Sequence, residues 1–307
     1  DDLVANFYSA GSDGQRSSAW ATYKQFHQRW HLDDEVLPLT VEKVYAVASM
    51  FRKGRYRKHD NYLSIATTLH EEAGYAVTPA LRRAMKKSVR AVNRGLGPAD
   101  QAVPVALKFL SDLPMDLEPV CHDGPRLPHH AIVVGMMWLL RELELASIRR
   151  RDITIYEGEL KVTLRLSTSK TDPHARGCKR SWKCTCTDVM MDWKSCPYHV
   201  MHDALKKIDA IESSLPAHFL FSKWSSPSTA TPKKGMVRSM QQVITTAYKI
   251  FGITIDGITG HSLRVGGAQH FAAKGLEVSL VQLLGRRGSS SVLRYVAESP
   301  LECLTAK

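Results

Sequence analysis

The chain has 307 residues, 44% of them hydrophobic and 23% charged, with six cysteines and a net charge of +12. That composition excludes wholesale disorder and a secreted disulfide scaffold, and no run of about 18 apolar residues offers a membrane span. The length suits two domains, each able to bury a core, and the positive excess favours a polyanionic partner.

The start, Asp1-Asp2-Leu3, lacks the basic-then-apolar order of a signal peptide and lacks a Met, so a trimmed intracellular chain is expected. The first third reads as helices. Ala19, Tyr23, Phe26 and Trp30 step by four, three and four, and Val41, Val44, Tyr45, Ala48 and Phe51 repeat the pattern. A third helix is expected over residues 62–73 and a fourth over 78–94, with Thr78 as N-cap, Pro79 in the first turn and Gly95 beyond the end. In that fourth helix Leu81, Ala84, Met85, Ser88 and Val92 form a packing face, while Arg83, Lys86, Lys87, Arg90 and Arg94 recur on another. A second basic cluster, Arg52, Lys53, Arg55, Arg57 and Lys58, falls in an inter-helix turn. Residues 40–97 hold 12 Lys and Arg against 4 Asp and Glu. One basic helix face is commonly just solvated; two basic elements in one small helical domain favour binding to a phosphate backbone.

Gly95-Leu96-Gly97-Pro98 breaks the bundle, which sets the expected domains at 1–97 and 98–307. A Pro-rich connector, 114–128, leads to an apolar segment, 131–140, expected to be a buried helix with Arg141 at its end. The period then changes: 153–156 and 160–166 read as strands of a small antiparallel sheet joined across Glu157-Gly158. Helical patterns resume from His199, with a Ser- and Pro-rich loop at 222–234 and short helices punctuated by Gly275, Gly285 and Gly288. The expected class is mainly α: an N-terminal helical bundle followed by a mostly helical domain with a small antiparallel sheet.

Five positions form a set suited to phosphoryl transfer. Arg141, near the end of the apolar segment, needs an anionic partner, either Glu144 or a ligand. Lys170 stands in the turn after a strand. His261 and Arg264, three residues apart at a helix start, share one face beside the positive helix end. Tyr295 closes the series. Each taken alone has a plain structural explanation; the ordered set carries the reading.

In order and wording these segments resemble the tyrosine recombinase/integrase family, phage integrases included. Arg141, Glu144, Leu145, Ile148 and Asp152-Ile153 match its first arginine motif, Lys170 its hairpin lysine, and His261-x-x-Arg264 with Gly266-Gly267 its second. Leu284-Gly285-Arg286 with Tyr295 nine residues on keeps the spacing of its last motif, although Arg286 stands where the family has His or Trp. An arginine there can donate to a phosphate oxygen but cannot act as a base. The resemblance covers about residues 98–296 as the catalytic domain, with the preceding bundle as a core-binding domain. It implies site-specific cleavage and rejoining of DNA through a 3′-phosphotyrosyl link to Tyr295. Arg141, Arg264 and Arg286 would hold the phosphate, His261 would act as base, Lys170 as acid, and Glu144 would orient. It further implies double-stranded DNA as partner, a homotetramer on paired sites, no cofactor for catalysis, and action in a nucleus or nucleoid as part of a mobile element. DNA contacts would fall to Arg52, Lys53, Arg55, Arg83, Lys86, Lys87, Arg90 and Arg94. A type IB topoisomerase or telomere resolvase would use the same residues, and a domesticated, catalytically silent DNA-binding protein would explain Arg286 as decay.

A Cys/His-rich insertion spans about 178–202. Cys184, Cys186, Cys196 and His199 offer three thiolates and an imidazole within a short stretch, a donor set suited to structural zinc; Cys178 and His202 are possible substitutes. Reduced cysteines with no metal are the plain alternative.

Overall fold

The structure is a computed structural model that describes residues 10–30, 34–97, 101–118, 120–166, 177–186, 192–211 and 216–286, together with 293 and 296. The chain divides into two compact units, residues 1–100 and 101–307. No helix among the described residues is long and apolar enough to cross a membrane.

The first unit contains α1 (Ala10–Arg29), α2 (Val41–Lys53), α3 (His59–Glu72) and α4 (Pro79–Asn93). Its core centres on Phe51, fully buried, with the rings of Phe26 and Tyr62 each 4.8 Å away and that of Tyr56 at 5.3 Å. Two expected core residues face solvent instead: Trp30 is 45% and Tyr45 42% exposed. Trp30 follows the last helical residue of α1, and the buried stripe of α2 runs through Val44, Val47, Ala48 and Phe51, which turns Tyr45 outward. The Thr78 hydroxyl accepts a hydrogen bond from Leu81 N at 3.2 Å, satisfying one of the free amides at the start of α4. All of Leu81, Ala84, Met85, Ser88 and Val92 are buried, so the cations of α4 emerge together on the opposite side.

In the second unit α5 (Pro128–Met137) is buried at every residue, as a helix apolar all round must be. Around it pack α7 (Pro197–Asp209), α8 (Lys233–Ile250) and α9 (Ser262–Ala273), and α6 (Glu142–Ala146) joins α5 to a sheet. The sheet is antiparallel in the order β1 (Ile153–Tyr156), β2 (Lys161–Leu166), β3 (Cys178–Lys183), with Ile153 opposite Leu164 and Leu166 opposite Cys178. Val162, Leu164 and Leu166 point inward from β2 and fix this register against the core. Next in the chain, α10 (Val278–Leu284) packs on α9.

Three features differ from expectation. β3 was not foreseen, because its Cys-Lys-Arg-Ser-Trp-Lys run is short and heavily charged. α8 begins at Lys233, inside the expected loop. Third, the apolar helix stops at Met137 rather than running to residue 140, so Arg141 does not end it. Leu139 adopts φ 51°, Leu140 N donates to Gly135 O at 2.8 Å and Leu139 N to Met136 O at 3.2 Å, the paired bonds that terminate a helix with a left-handed residue. Trp138, Leu139 and Leu140 are as buried as the helix itself, so hydrophobicity alone does not mark the turn.

Gly266 and Gly267 let α9 lie directly on backbone. A Cβ on Gly266 would come within 2.1 Å of Val105 O, and one on Gly267 within 2.3 Å of Met136 O. Neither neighbour is a side-chain tip that can swing away. Gly267→Ala is therefore expected to cost at least about 2 kcal/mol through forced separation of α9 and α5. In urea titration the midpoint should fall with the slope unchanged; a midpoint equal to that of the parent chain contradicts the packing described.

Candidate active site

The turn after α5 delivers Arg141 as the N-cap residue of α6. Glu144, in the first turn of α6, folds back on it: one carboxylate oxygen accepts from Arg141 N at 2.9 Å and the other from its guanidinium Nη1 at 2.9 Å. The same carboxylate meets two further guanidinium groups. Arg264 of α9 has Nη1 3.8 Å from Glu144 Oε2, and Arg286, just beyond α10, has Nη2 2.8 Å from that oxygen. Arg264 is 1% exposed and also donates through Nη2 to Gly285 O. Three cations from three segments thus converge on one 8% exposed carboxylate.

Local sequence explains each placement. A guanidinium at position 264 reaches Glu144 because the following glycines bring α9 close to α5. Arg286 takes φ 52°, the left-handed conformation in which a residue directly follows a helix, with its N donating to Leu283 O at 3.1 Å. A non-glycine there costs about 1 kcal/mol, which the ion pair to Glu144 offsets. His261 is the exposed N-cap residue of α9, one turn ahead of Arg264. Its neighbourhood is ordered by Thr259 N donating to Ser262 Oγ at 3.0 Å and His261 N to Thr259 Oγ1 at 3.2 Å. Lys170 and Tyr295 lie outside the described residues. In sequence the first belongs to the connection from β2 to β3, and the second follows α10.

A second buried carboxylate escaped the sequence reading. Glu142, 5% exposed, pairs with Lys233 Nζ at 3.0 Å, and a Cβ on Gly260 would come within 2.4 Å of its carboxyl group. It ties the start of α8 to the turn before His261. The signal available was Gly260 itself, whose lack of a side chain makes room for this acid.

In the first unit Arg52, Lys53, Arg55, Arg83, Lys86, Lys87, Arg90 and Arg94 are all exposed. Arg57 donates to Leu96 O at 2.8 Å and to Gly97 O at 3.0 Å, drawing the turn after α2 to the C-terminal end of α4. The two basic clusters, separate in sequence, are neighbours at the Arg90–Arg94 end of that helix.

The remaining candidate residues lie beyond β3. Cys184, Cys186, Cys196 and His199 bring their sulfur and nitrogen atoms within 4.8 Å of one another. Cys178 starts β3 and is not among them, while His202 stacks on Tyr198 and faces Glu157 at 3.7 Å, so neither substitutes. Burial works against ionisation of the Cys196 thiol, yet the backbone amides of His199 and Thr185 outweigh it and lower its pKa; burial and the neighbouring thiols raise that of Cys186.

No family model and no curated sequence matches the chain. Solved structures do. XerH site-specific recombinase bound to a palindromic difH substrate is similar with a TM-score of 0.60 at 13% identity, over 94% of this chain and 78% of that one. A lambda integrase dimer bound to a COC′ core site gives 0.58 at 14%, over 96% and 91%. Tn1549 transposon integrase in complex with a circular intermediate DNA gives 0.58 at 13%, over 99% and 96%; lambda integrase is also similar as a tetramer bound to a Holliday junction, at 0.51 and 12% identity, over 95% and 73%. The chain has the fold of the tyrosine recombinases and integrases.

Glu144→Gln removes the charge on which Arg141, Arg264 and Arg286 converge while keeping the side-chain volume. Breaking a buried ion pair on one side costs about 3 kcal/mol or more. Thermal and urea unfolding should register that loss, and Glu159→Gln, an exposed partner of Lys161, should barely move either. Equal stabilities for the two variants would show that the arginines do not depend on Glu144.

Proposed function

We propose that the chain cleaves and rejoins double-stranded DNA at specific sites, with Tyr295 as the nucleophile. The observation that carries this reading is the convergence of Arg141, Arg264 and Arg286 on Glu144 within an integrase fold. A phosphodiester entering beside the guanidiniums meets fixed donors aimed at its non-bridging oxygens. Such preorganised charge is the main catalytic requirement of phosphoryl transfer, because negative charge spreads over those oxygens in the transition state.

The chemistry follows from the residue types. The Tyr295 hydroxyl attacks phosphorus, the bond from phosphorus to the 5′-oxygen breaks, and a 3′-phosphotyrosyl link forms with a free 5′-hydroxyl. A phenol with pKa about 10 needs a base, and His261, exposed one turn from Arg264, takes its proton. Lys170 supplies a proton to the leaving 5′-oxygen. Rejoining runs the same steps backwards, and because the covalent link conserves the phosphoester energy, strand exchange needs no nucleotide cofactor. Arg286 adds bidentate donation where an imidazole or indole offers one donor; it orients and neutralises but accepts no proton.

DNA backbone contacts come from the joined basic surface of the first unit, Arg52, Lys53, Arg55, Arg83, Lys86, Lys87, Arg90 and Arg94. Pairing of sites calls for more than one copy, and a homotetramer is the proposed active assembly, as in the lambda integrase complex with a Holliday junction. The setting is a nucleus or nucleoid, where the DNA is.

Two tests bear on this. A pool of randomised duplexes, each carrying a nick that lets the cleaved end diffuse away, should yield a covalent protein–DNA adduct on denaturing gels. Tyr295→Phe should bind the recovered duplex unchanged and form none; an adduct with that variant removes Tyr295 as nucleophile. Arg286→Ala should slow adduct formation about 10²-fold or more, whereas full-rate trapping by it assigns Arg286 a structural task only. Separately, the quadruple replacement of Arg83, Lys86, Lys87 and Arg90 by Ala should flatten the dependence of log affinity on log salt by about 0.9 for each phosphate no longer neutralised. An unaltered slope on unselected duplex would move the DNA surface elsewhere.

A further inference from the structure

We propose that Cys184, Cys186, Cys196 and His199 bind one zinc ion that clasps the end of β3 to the start of α7. The inference stands apart from the DNA chemistry above. Cys184 and Cys186 directly follow β3, Cys196 is the N-cap residue of α7, and His199 lies in that helix's first turn. Their ligand atoms all lie within 4.8 Å of one another, and three of the separations are near the edges of a tetrahedral zinc site. His199 Nδ1 is 3.3 Å from Cys186 Sγ and 3.7 Å from Cys184 Sγ, and Cys184 Sγ is 3.9 Å from Cys196 Sγ. With Zn–S about 2.3 Å and Zn–N about 2.0–2.1 Å, a regular tetrahedron has edges of about 3.8 Å between sulfurs and about 3.6 Å from sulfur to nitrogen. A disulfide between Cys184 and Cys196 would need its sulfurs nearly 2 Å closer, at about 2.05 Å.

The surroundings suit a metal thiolate. Thr185 N, in the tight turn between the first two cysteines, donates to Cys196 Sγ at 3.4 Å, the kind of backbone bond that orients a ligating sulfur. Cys196 is fully buried and the other three ligands are half-buried, so water has little access to the centre. Four protein donors close the coordination sphere, which makes the site structural rather than catalytic. Soft sulfur with one imidazole selects zinc over magnesium or calcium.

The clasp has a definite mechanical consequence. Among the described residues β3 is an edge strand, paired with β2 alone. Cys184 N donates to Leu160 O at 2.7 Å, so the metal begins where the ladder stops. A six-residue strand spans roughly 20 Å, which sets the ion at the end of β3 away from the β2–β3 connection to which Lys170 belongs. The ion therefore anchors the C-terminal end of β3 to the start of α7.

Full-length protein expressed with zinc and purified without chelator should contain about one zinc per chain by mass spectrometry. Cys186→Ser should lose most of it, Cys186→His should keep it, and cobalt substitution should give the ligand-field bands of a tetrahedral thiolate centre. Stripping the metal should lower the unfolding midpoint by about 5 °C or more. Zinc well below stoichiometric in the parent protein overturns the proposal. So does zinc retained by the Cys184→Ser/Cys186→Ser variant, which would put the metal elsewhere, or a Cys184–Cys196 disulfide found in peptides digested without reductant.

Discussion

One carboxylate organises the candidate site. Like charges a few ångströms apart repel by about 4 kcal/mol even at an effective dielectric constant of about 20. Arg141, Arg264 and Arg286 can be gathered by folding because Glu144 offers both oxygens to them, at 2.9 Å, 3.8 Å and 2.8 Å. The carboxylate does not cancel them. It balances part of the charge and fixes directions, so the three guanidiniums are held in position by the fold itself. Preorganisation of this kind spares the cost of reorienting dipoles during reaction, the largest single contribution in many enzymes.

Backbone geometry then has to bring these side chains from distant parts of the chain, and it does so through unusual local conformations. Leu139 turns the chain left-handed while fully buried, ending α5 early enough for Arg141 to cap α6. Gly266 and Gly267 remove the side chains that would hold α9 off α5. Arg286 takes a left-handed conformation where glycine is easier. A longer, more flexible side chain at 286 than an imidazole needs such an anchor: the backbone turn and the pair with Glu144 limit where its fork can point.

What was legible in the sequence was whatever has a strict period or a local rule. The fourth helix of the bundle is marked by Thr78, Pro79 and an apolar stripe that packing reproduces residue for residue, and β1 and β2 alternate cleanly. The order of the charged motifs pointed to the fold later matched by integrase structures. The rest depends on packing that no local pattern records. Trp138-Leu139-Leu140 is apolar enough to continue a helix, yet it forms the turn that repositions Arg141. Tyr45 and Trp30 fit a helical period, but Tyr45 sits just off the buried stripe and Trp30 lies past the end of α1. Glu142 lies next to a residue already singled out, and only the contact with Gly260 shows that it is buried. Joining the basic turn to the end of α4 requires Arg57 to reach carbonyls 39 and 40 positions away. Lys170 and Tyr295 rest on motif order alone.

The unforeseen strand ties these parts together. Among the described residues β3 pairs with β2 alone, so one side of its backbone ladder is open and its side-chain contacts matter. Lys179, Ser181 and Lys183 face solvent, a charged edge that discourages pairing with another chain, while Cys178, Arg180 and Trp182 turn inward. The Trp182 indole stacks on Phe271 of α9 with ring centres 5.2 Å apart and donates to Met137 O at 3.1 Å. Arg180 donates to Leu283 O at 3.2 Å, at the end of α10 and three residues before Arg286. Arg180 and Trp182 therefore bear on α9, which carries one of the converging arginines, on α10, which leads to another, and on the end of α5. A displacement of β3 would be felt at α9 through the Trp182 stack and at the α10 turn through the Arg180 hydrogen bond. This coupling explains how a strand too charged to be recognised from its composition is nonetheless held, through the residues of its inward face.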